Sequence, residues 1–309
     1  MCYSAKVLQS LRDYLRLVGA RPDYPQITDI LRRWLNDRAV RIPRGFERNF
    51  DRPQSPEEEQ IRALIEQHHA AAVTKLEQEI FTQRKRLADA ERTLKTKQTR
   101  KALEDRRIAT AKIETAIEKL SLLKGTQPHP DDDRIFPMGY GPIVMETDLG
   151  RVVRLARYHL RQAGKPPSID RQFPGLYNAR RDNLTKFWRS EFGRSHALML
   201  VTSFFENVER DGKNAVLHFT PKPPQLMTVA CLYSEWRDPK DGSTLLSFAA
   251  ITDEPPEEVA AAGHDRMIIN IRPENAEQWL APRGRSIDEL QAILSDRQKP
   301  YYEHVVEAA

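Results

Sequence analysis

The stretch His196-Ala-Leu-Met-Leu-Val-Thr-Ser-Phe-Phe-Glu206 runs through apolar residues into a carboxylate, and its reading decides the fold. It is followed by four more short apolar runs: Ala215–Phe219, Leu226–Tyr233, Thr244–Ile251 and Met267–Ile271. Pro, Gly and charge break the chain between them, so the spacing predicts a series of strands. Short helices are expected near Glu274–Leu280 and Ile287–Leu294. The body therefore reads as α+β, a mostly antiparallel β-sheet or barrel with surrounding helices.

Upstream, helical periodicity takes over. Leu11, Leu15 and Val18 mark a helix over Ser10–Val18, and Ile27, Ile30, Leu31, Trp34 and Leu35 mark one over Gln26–Arg38. Arg41–Pro53 looks irregular and basic. Asp148–Ala163 reads as an amphipathic helix, with Leu149, Val152, Val153, Leu155, Ala156 and Leu160 on one face and Gly164-Lys-Pro-Pro167 ending it. Between these lies Glu57–Lys124, free of Gly and Pro and rich in strong helix formers. Ile61, Leu64, Ile65, Leu76, Ile80, Leu87 and Leu94 form one apolar stripe; Ile108, Ile113, Ile117, Leu120 and Leu123 form another. The segment Lys95–Lys101 between them has no large apolar residue, which predicts an antiparallel helical hairpin turning near Thr96–Arg100. The domain expectation is a discontinuous body, 1–55 with 129–309, and an inserted coiled-coil arm, 56–128. From Arg84 to Arg107 ten Lys or Arg face four Asp or Glu, so the arm's tip is basic. That suits a solvated coiled coil, a DNA contact, self-association or another protein partner.

Composition excludes some classes. No run of about 18 apolar residues exists, so no membrane span is expected. The first residues lack a secretory pattern, and two cysteines, Cys2 and Cys231, suit a reducing compartment, so the expected location is cytoplasmic. A net charge of +5 permits an anionic partner without demanding one. No P-loop, dinucleotide fingerprint or metal-ligand spacing occurs, and no cofactor is expected. His68-His69 and Asp131-Asp-Asp133 are read as solvated repeats.

Four polar positions stand out. Met1-Cys2 would become a free 1,2-aminothiol once Met1 is removed, able to form an imine with an aldehyde and close a thiazolidine through sulfur. Asn178, with Arg180 close by, lies on an expected loop; Glu206 is costly to bury unless paired; His264 precedes a strand. Each also reads as ordinary structure: a disordered terminus, a loop amide, a strand-end carboxylate, a capped histidine. Cys231, inside an apolar run, is expected to be buried and inert.

Taken together, Met1-Cys2, Tyr177-Asn-Ala-Arg180, Phe204-Phe-Glu206, Met227-Thr-Val-Ala230 through Trp236, and Ile251-Thr252 with His264-Asp-Arg-Met267 resemble the SRAP family of SOS-response-associated, abasic-site-crosslinking proteins. The resemblance covers Met1 to about Pro53 and Ile135 to about Leu280. It implies single-stranded DNA with abasic sites as partner, in the DNA damage response, with the protein nucleoid-associated when bound. It implies Cys2 as nucleophile, Glu206 as general acid/base, His264 as second proton-transfer group and Asn178 as positioning amide. Arg180 and Arg181 would lie against DNA. A peptidase label, self-removal of Met1, belongs to the same resemblance. Three departures are visible: Asn178-Ala-Arg-Arg-Asp-Asn183 replaces N-A-R-S-E-T, Met138 stands for the tryptophan of W-G-L-x-P, and Asn207 ends the F-Y-E-W element. The alternatives are a DNA-binding or assembly protein without the chemistry, and an amino-terminal nucleophile peptidase.

Overall fold

A computed structural model describes residues 3–307 apart from Arg38, Thr126, Leu149 and Asp211. In chain order come β1 (Ser4–Val7), α1 (Leu11–Val18), β2 (Arg21–Pro22), α2 (Tyr24–Asn36), α3 (Arg44–Glu47), α4 (Pro56–Thr96) and α5 (Arg100–Lys124). Then follow β3 (Arg134–Ile135), β4 (Tyr140–Thr147), β5 (Gly150–Tyr158), α6 (Ile169–Gln172), β6 (Asn178–Arg180), β7 (His196–Arg210), β8 (Lys213–Lys222), β9 (Met227–Arg237) and β10 (Thr244–Asp253). The last elements are α7 (Glu257–Ala261), β11 (Met267–Ile268), β12 (Asn270–Ile271), α8 (Ala276–Leu280), α9 (Ile287–Ser295) and β13 (Tyr301–Val306). The chain divides into two compact units, Met1–Glu58 with Pro130–Ala309, and Glu59–His129.

In the first unit, β4, β5, β10, β9 and β7 pair in that order, and β7 returns to β4, which closes a five-stranded barrel. All contacts in the ring are antiparallel except β5–β10. Strand β7 is fifteen residues long because it serves two partnerships. Its first half, His196–Val201, pairs with β9 inside the barrel; its second half pairs with β8 from Phe204 to Arg210, and β1 lies along Val201–Phe205. The inner face of that second half carries Phe204 and Val208 into a core shared with Leu217, Phe219, Tyr302 and Val259. Phe204 stacks on Phe219 with ring centroids 5.1 Å apart. Burying an aromatic side chain of this kind contributes roughly 2–3 kcal/mol.

The helices are set by local signals. Ser10 caps α1, whose end is fixed by Gly19 in the left-handed region (φ 66°). Asp23 caps α2, with Pro25 in its first turn, where a missing N–H costs nothing. A reciprocal Ser286–Glu289 capping box starts α9.

Three readings of the sequence are corrected here. The expected helix Asp148–Ala163 is β5 and the chain after it; Leu149 lies outside the described residues. One face of β5 looks into the barrel, and the other is covered by α2, where Gln26 exchanges hydrogen bonds with the Leu155 backbone and Asp23 pairs with Arg154. A strand buried on both faces loses its alternation, and Arg151, Arg154 and Arg157 at intervals of three supplied a false helical period. Asn178 is not on a loop, because β6 adds parallel to β10 with Asn178 opposite Ala250. Arg41–Pro53 is not irregular throughout: α3 and a following short turn exist to bury Phe46 and Phe50.

In the second unit, α4 and α5 are antiparallel neighbours across the turn 97–99, tied by Arg86–Asp105, Glu79–Lys112 and Glu77–Lys124. The buried positions of α5 are Ala102, Ala109 and Ala116, seven residues apart, rather than the expected stripe; Ile117 is exposed. Alanines at a heptad spacing let the facing helix approach closely, which displaces the larger residues to the flanks.

Candidate functional site

Glu206 sits on the inner face of β7 between Phe204 and Val208, fully buried. Facing it is His264, delivered by the turn after α7. That turn uses Gly263 at φ 99°, a conformation that favours glycine, with the Val208 side chain just beyond where a Cβ would stand. The His264 Nε2 lies 3.1 Å from Glu206 Oε2, and its Nδ1 lies 2.8 Å from the Arg266 carbonyl. The Arg266 carbonyl only accepts and, as the shorter contact, matches a proton on Nδ1 with Nε2 as an acceptor toward Glu206; the Arg266 amide also approaches Nδ1, at 3.3 Å. Burial pushes the Glu206 carboxyl up to about 8. Burial also lowers the His264 imidazole below its ordinary value. Both shifts favour the same state: a protonated Glu206 beside a neutral His264 at neutral pH. Such a pair holds a proton near the pH at which general acid/base catalysis works best.

The start of the chain is sewn to this pair. The Tyr3 amide donates to the Phe205 carbonyl at 3.0 Å, and Ser4 lies opposite Phe205 in the β1–β7 ladder. Cys2 lies outside the described residues. On the other face of the ladder, Arg134 donates to Ser4 Oγ at 2.9 Å and to Glu307 at 2.8 Å. Its guanidinium lies 3.5 Å from the Phe205 ring centroid and 4.8 Å from that of Phe136. Sequence reasoning missed Arg134, because a cation sandwiched between rings from distant segments leaves no local pattern.

Asn178 is buried in β6, its side-chain oxygen 3.5 Å from the Tyr158 hydroxyl. Arg180, half exposed, makes two bonds to Asp182 at 3.0 and 2.6 Å. Those hydrogen bonds lower the Asp182 carboxyl, and the charge of Arg266 adds to the effect, so the end of β6 and the His264 turn share one electrostatic neighbourhood. Arg181 is placed differently. It bonds Gln291 Oε1 at 2.8 Å, Asp253 at 3.0 Å and Ser295 Oγ at 2.6 Å, which clamps α9 to β10. Cys231 is fully buried, and burial pushes its thiol up, away from the thiolate form. Among the described residues no cluster of three His, Cys, Asp or Glu is arranged to hold a metal ion.

Three open cavities lie among the described residues of the same unit, the roomiest, about 940 Å³, being lined by Asp23, Gln26, Arg33, Arg154 and Trp236. One of about 640 Å³ is lined by Gln9, Arg12, Arg48, Arg52 and Asp133. Another of about 380 Å³ is lined by Arg33, Tyr140, Arg157, Arg161 and Trp236. No described helix is long and apolar enough to cross a membrane.

A closed barrel whose longest strand runs on to carry a buried carboxylate beside an imidazole, next to β1, defines the α+β class of this chain. The family model described as SOS response associated peptidase (SRAP) matches residues 92–308, and the chain belongs to that family. The matched range begins within α4, takes in α5 and runs past Leu280. Among characterised relatives, the chain is similar to the abasic site processing protein YoqW of Bacillus subtilis (strain 168), 30% identical over 122 residues, 38% of this chain and 54% of that protein. It is equally similar to the abasic site processing protein YobE of the same organism, 30% over 122 residues, 38% and 55% of the two chains. The chain thus spans about half the length of the curated relatives it matches. Among solved structures it superposes on a Bacteroides thetaiotaomicron protein with a TM-score of 0.49 at 18% identity, covering 56% of this chain and 77% of that one. A phage-related protein from Bordetella bronchiseptica gives 0.45 at 15%, covering 57% and 82%.

Proposed function

We propose that this protein processes abasic sites in single-stranded DNA by covalent attachment through Cys2. The observation that carries the reading is the buried Glu206–His264 pair beside Tyr3, the covalent neighbour of Cys2. With Met1 removed, the Cys2 amine adds to the ring-opened aldehyde of the abasic deoxyribose and water leaves, giving an imine. The thiol then adds across the C=N bond and a thiazolidine closes. Glu206, protonated at neutral pH, supplies the proton that the departing oxygen needs, and His264 takes its place as the proton's alternate resting point. Asn178 positions the sugar, Arg180 holds a neighbouring phosphate, and Arg181, as the clamp of α9, supports the DNA-facing surface from behind. Self-removal of Met1, which a peptidase description requires, would use the Cys2 thiol alone: it attacks the Met1 carbonyl, the Met1–Cys2 amide breaks to free the Cys2 amine, and water hydrolyses the resulting thioester to release methionine. The similarity to relatives named for abasic site processing supports this reading.

The test is intact mass of the purified protein with and without an abasic oligonucleotide. The expected results are a chain lacking Met1, a heat-stable adduct with wild-type protein, no adduct with Cys2→Ala, and an unchanged adduct with Cys231→Ala. An adduct at wild-type yield from Cys2→Ala defeats the proposal.

A further inference from the structure

We infer that the tip of the α4–α5 arm is a second binding surface for the phosphate backbone of DNA, separate from any covalent chemistry. The charge of this protein is concentrated there. Residues 84–107 hold ten Lys or Arg against four Asp or Glu, an excess larger than the net +5 of all 309 residues, so the remainder is close to neutral. Within that segment the structure spends few cations internally. Arg86 binds Asp105, Arg92 binds Asp89 and Arg107 binds Glu104. Among the described residues, Arg84, Lys85, Lys95, Lys97, Arg100, Lys101 and Arg106 make no ion pair or side-chain hydrogen bond, and all are exposed. Seven like charges on a short segment repel one another, and nothing in the arm's own packing compensates for that cost.

The tip is also shaped to hold an anion. A cleft of about 480 Å³ between the two helices is lined by Thr82, Lys85, Thr93, Thr99 and Lys101, with Asp89 and Asp105 already bound by arginines. The Lys85 and Lys101 ammonium groups, one from each helix, are donors for phosphate oxygens, while the Thr93 hydroxyl already donates to the Asp89 carbonyl and Thr99 caps α5. The Ala102, Ala109 and Ala116 heptad packs the hairpin closely, so the charges ride on rigid helices and lose little entropy on binding. A polyanion with regularly spaced phosphates fits this surface. The inference rests on the abasic-site reading only for the choice of DNA as that polyanion.

The test uses full-length protein and an intact oligonucleotide with no abasic site, as a single strand and as a duplex, over a salt series. Combining Lys95→Gln, Lys97→Gln, Arg100→Gln and Lys101→Gln should weaken binding at low salt by on the order of 10-fold or more. It should also make the dependence of log K on log salt shallower by roughly 2 to 3 for the single strand. The Lys97→Gln/Arg100→Gln pair at the turn should give about half that change in slope and cannot unfold a helix interior. Lys240→Gln/Lys299→Gln, two exposed cations of the barrel unit, should leave the slope within error. Loss with the single strand alone or with both forms supports the inference and tells which form the tip prefers. An unchanged slope in the fourfold variant overturns it, as does a tip whose neutralisation alters only self-association. Because no abasic site is present, a wild-type protein that fails to crosslink leaves this result intact and defeats only the covalent reading.

Discussion

Two carboxylates of the barrel unit, Asp170 and Glu206, are pushed in opposite directions from their ordinary values. Asp170 follows β5 and receives two guanidiniums: Arg157 at 2.8 Å, and Arg161 in direct contact with the same oxygen. Burial alone would raise its carboxyl, but the hydrogen bonds from Arg161 and Arg157 hold it below the ordinary value. Glu206 is buried more deeply, and that burial pushes its carboxyl up to about 8; the imidazole it faces is itself lowered by burial. Burial acts on both; the partner decides the sign. A carboxylate given permanent cations becomes a structural ion, whereas one given a neutral base becomes a proton donor.

The comparison can be broken from either side. Asp170→Asn leaves two nearly buried guanidiniums without their counter-ion and should cost about 3–5 kcal/mol in chemical denaturation. A loss below 1 kcal/mol would show that Asp170 is not the ion it is described to be. Glu206→Gln keeps shape and removes the transferable proton. It should slow crosslinking roughly 10²-fold while the protein stays folded by circular dichroism.

The pH dependence sharpens the contrast, with the two carboxylates giving opposite signs. Glu206 has a folded value raised from 4.5 to about 8. Between those values the unfolded chain has lost the proton that the folded chain keeps, so stability falls as pH rises through that window, by at most about 1.4 kcal/mol per pH unit. Glu206→Gln should flatten that decline. Asp170 has a lowered folded value, so its contribution is full above the ordinary aspartate range and is lost as pH falls through the depressed one. Asp170→Asn should therefore remove an acid-side loss. Denaturation midpoints from pH 3 to 9 for wild type and both variants check the two slopes together. Identical profiles in Glu206→Gln and wild type would remove the case for a protonated Glu206.

The smallest effects concern the adjacent arginines. Arg181→Ala gives up bonds to Asp253, Gln291 and Ser295 and should cost about 1–2 kcal/mol of stability with little change in DNA affinity. Arg180→Ala should leave stability nearly unchanged and reduce the salt slope of single-strand binding by about 0.7. Reversal of these two outcomes would mean that the clamp and the contact had been assigned to the wrong residues.

Much of this protein is legible in its residues. Strand runs from His196 to Ile271, the helices expected over Ser10–Val18 and Gln26–Arg38, and the turn expected near Thr96–Arg100 all depend on local patterning, and the structure has elements there. The reading of Asp148–Ala163 failed because a strand covered on both faces and a buried helix share an apolar profile. Asn178 looked like a loop residue because three residues of β6 have no period of their own and pair only once β10 is in place. The arm's alanine seam was hidden by larger apolar residues that pattern-reading weights more heavily.

The sequence alone determined that the chain has a strand-built body and a helical, basic insertion, because periodicity and charge are properties of neighbours along the chain. It also marked Glu206 and His264 as polar groups beside apolar runs. Only the tertiary structure brings them together. Residues 58 apart in sequence meet at 3.1 Å because β7 continues beyond the barrel to pair with β1 and β8 and because a left-handed glycine turns the chain after α7. The carboxyl is raised and the imidazole lowered because both groups have been taken out of water, and desolvation is a property of the packed protein that no stretch of sequence possesses by itself.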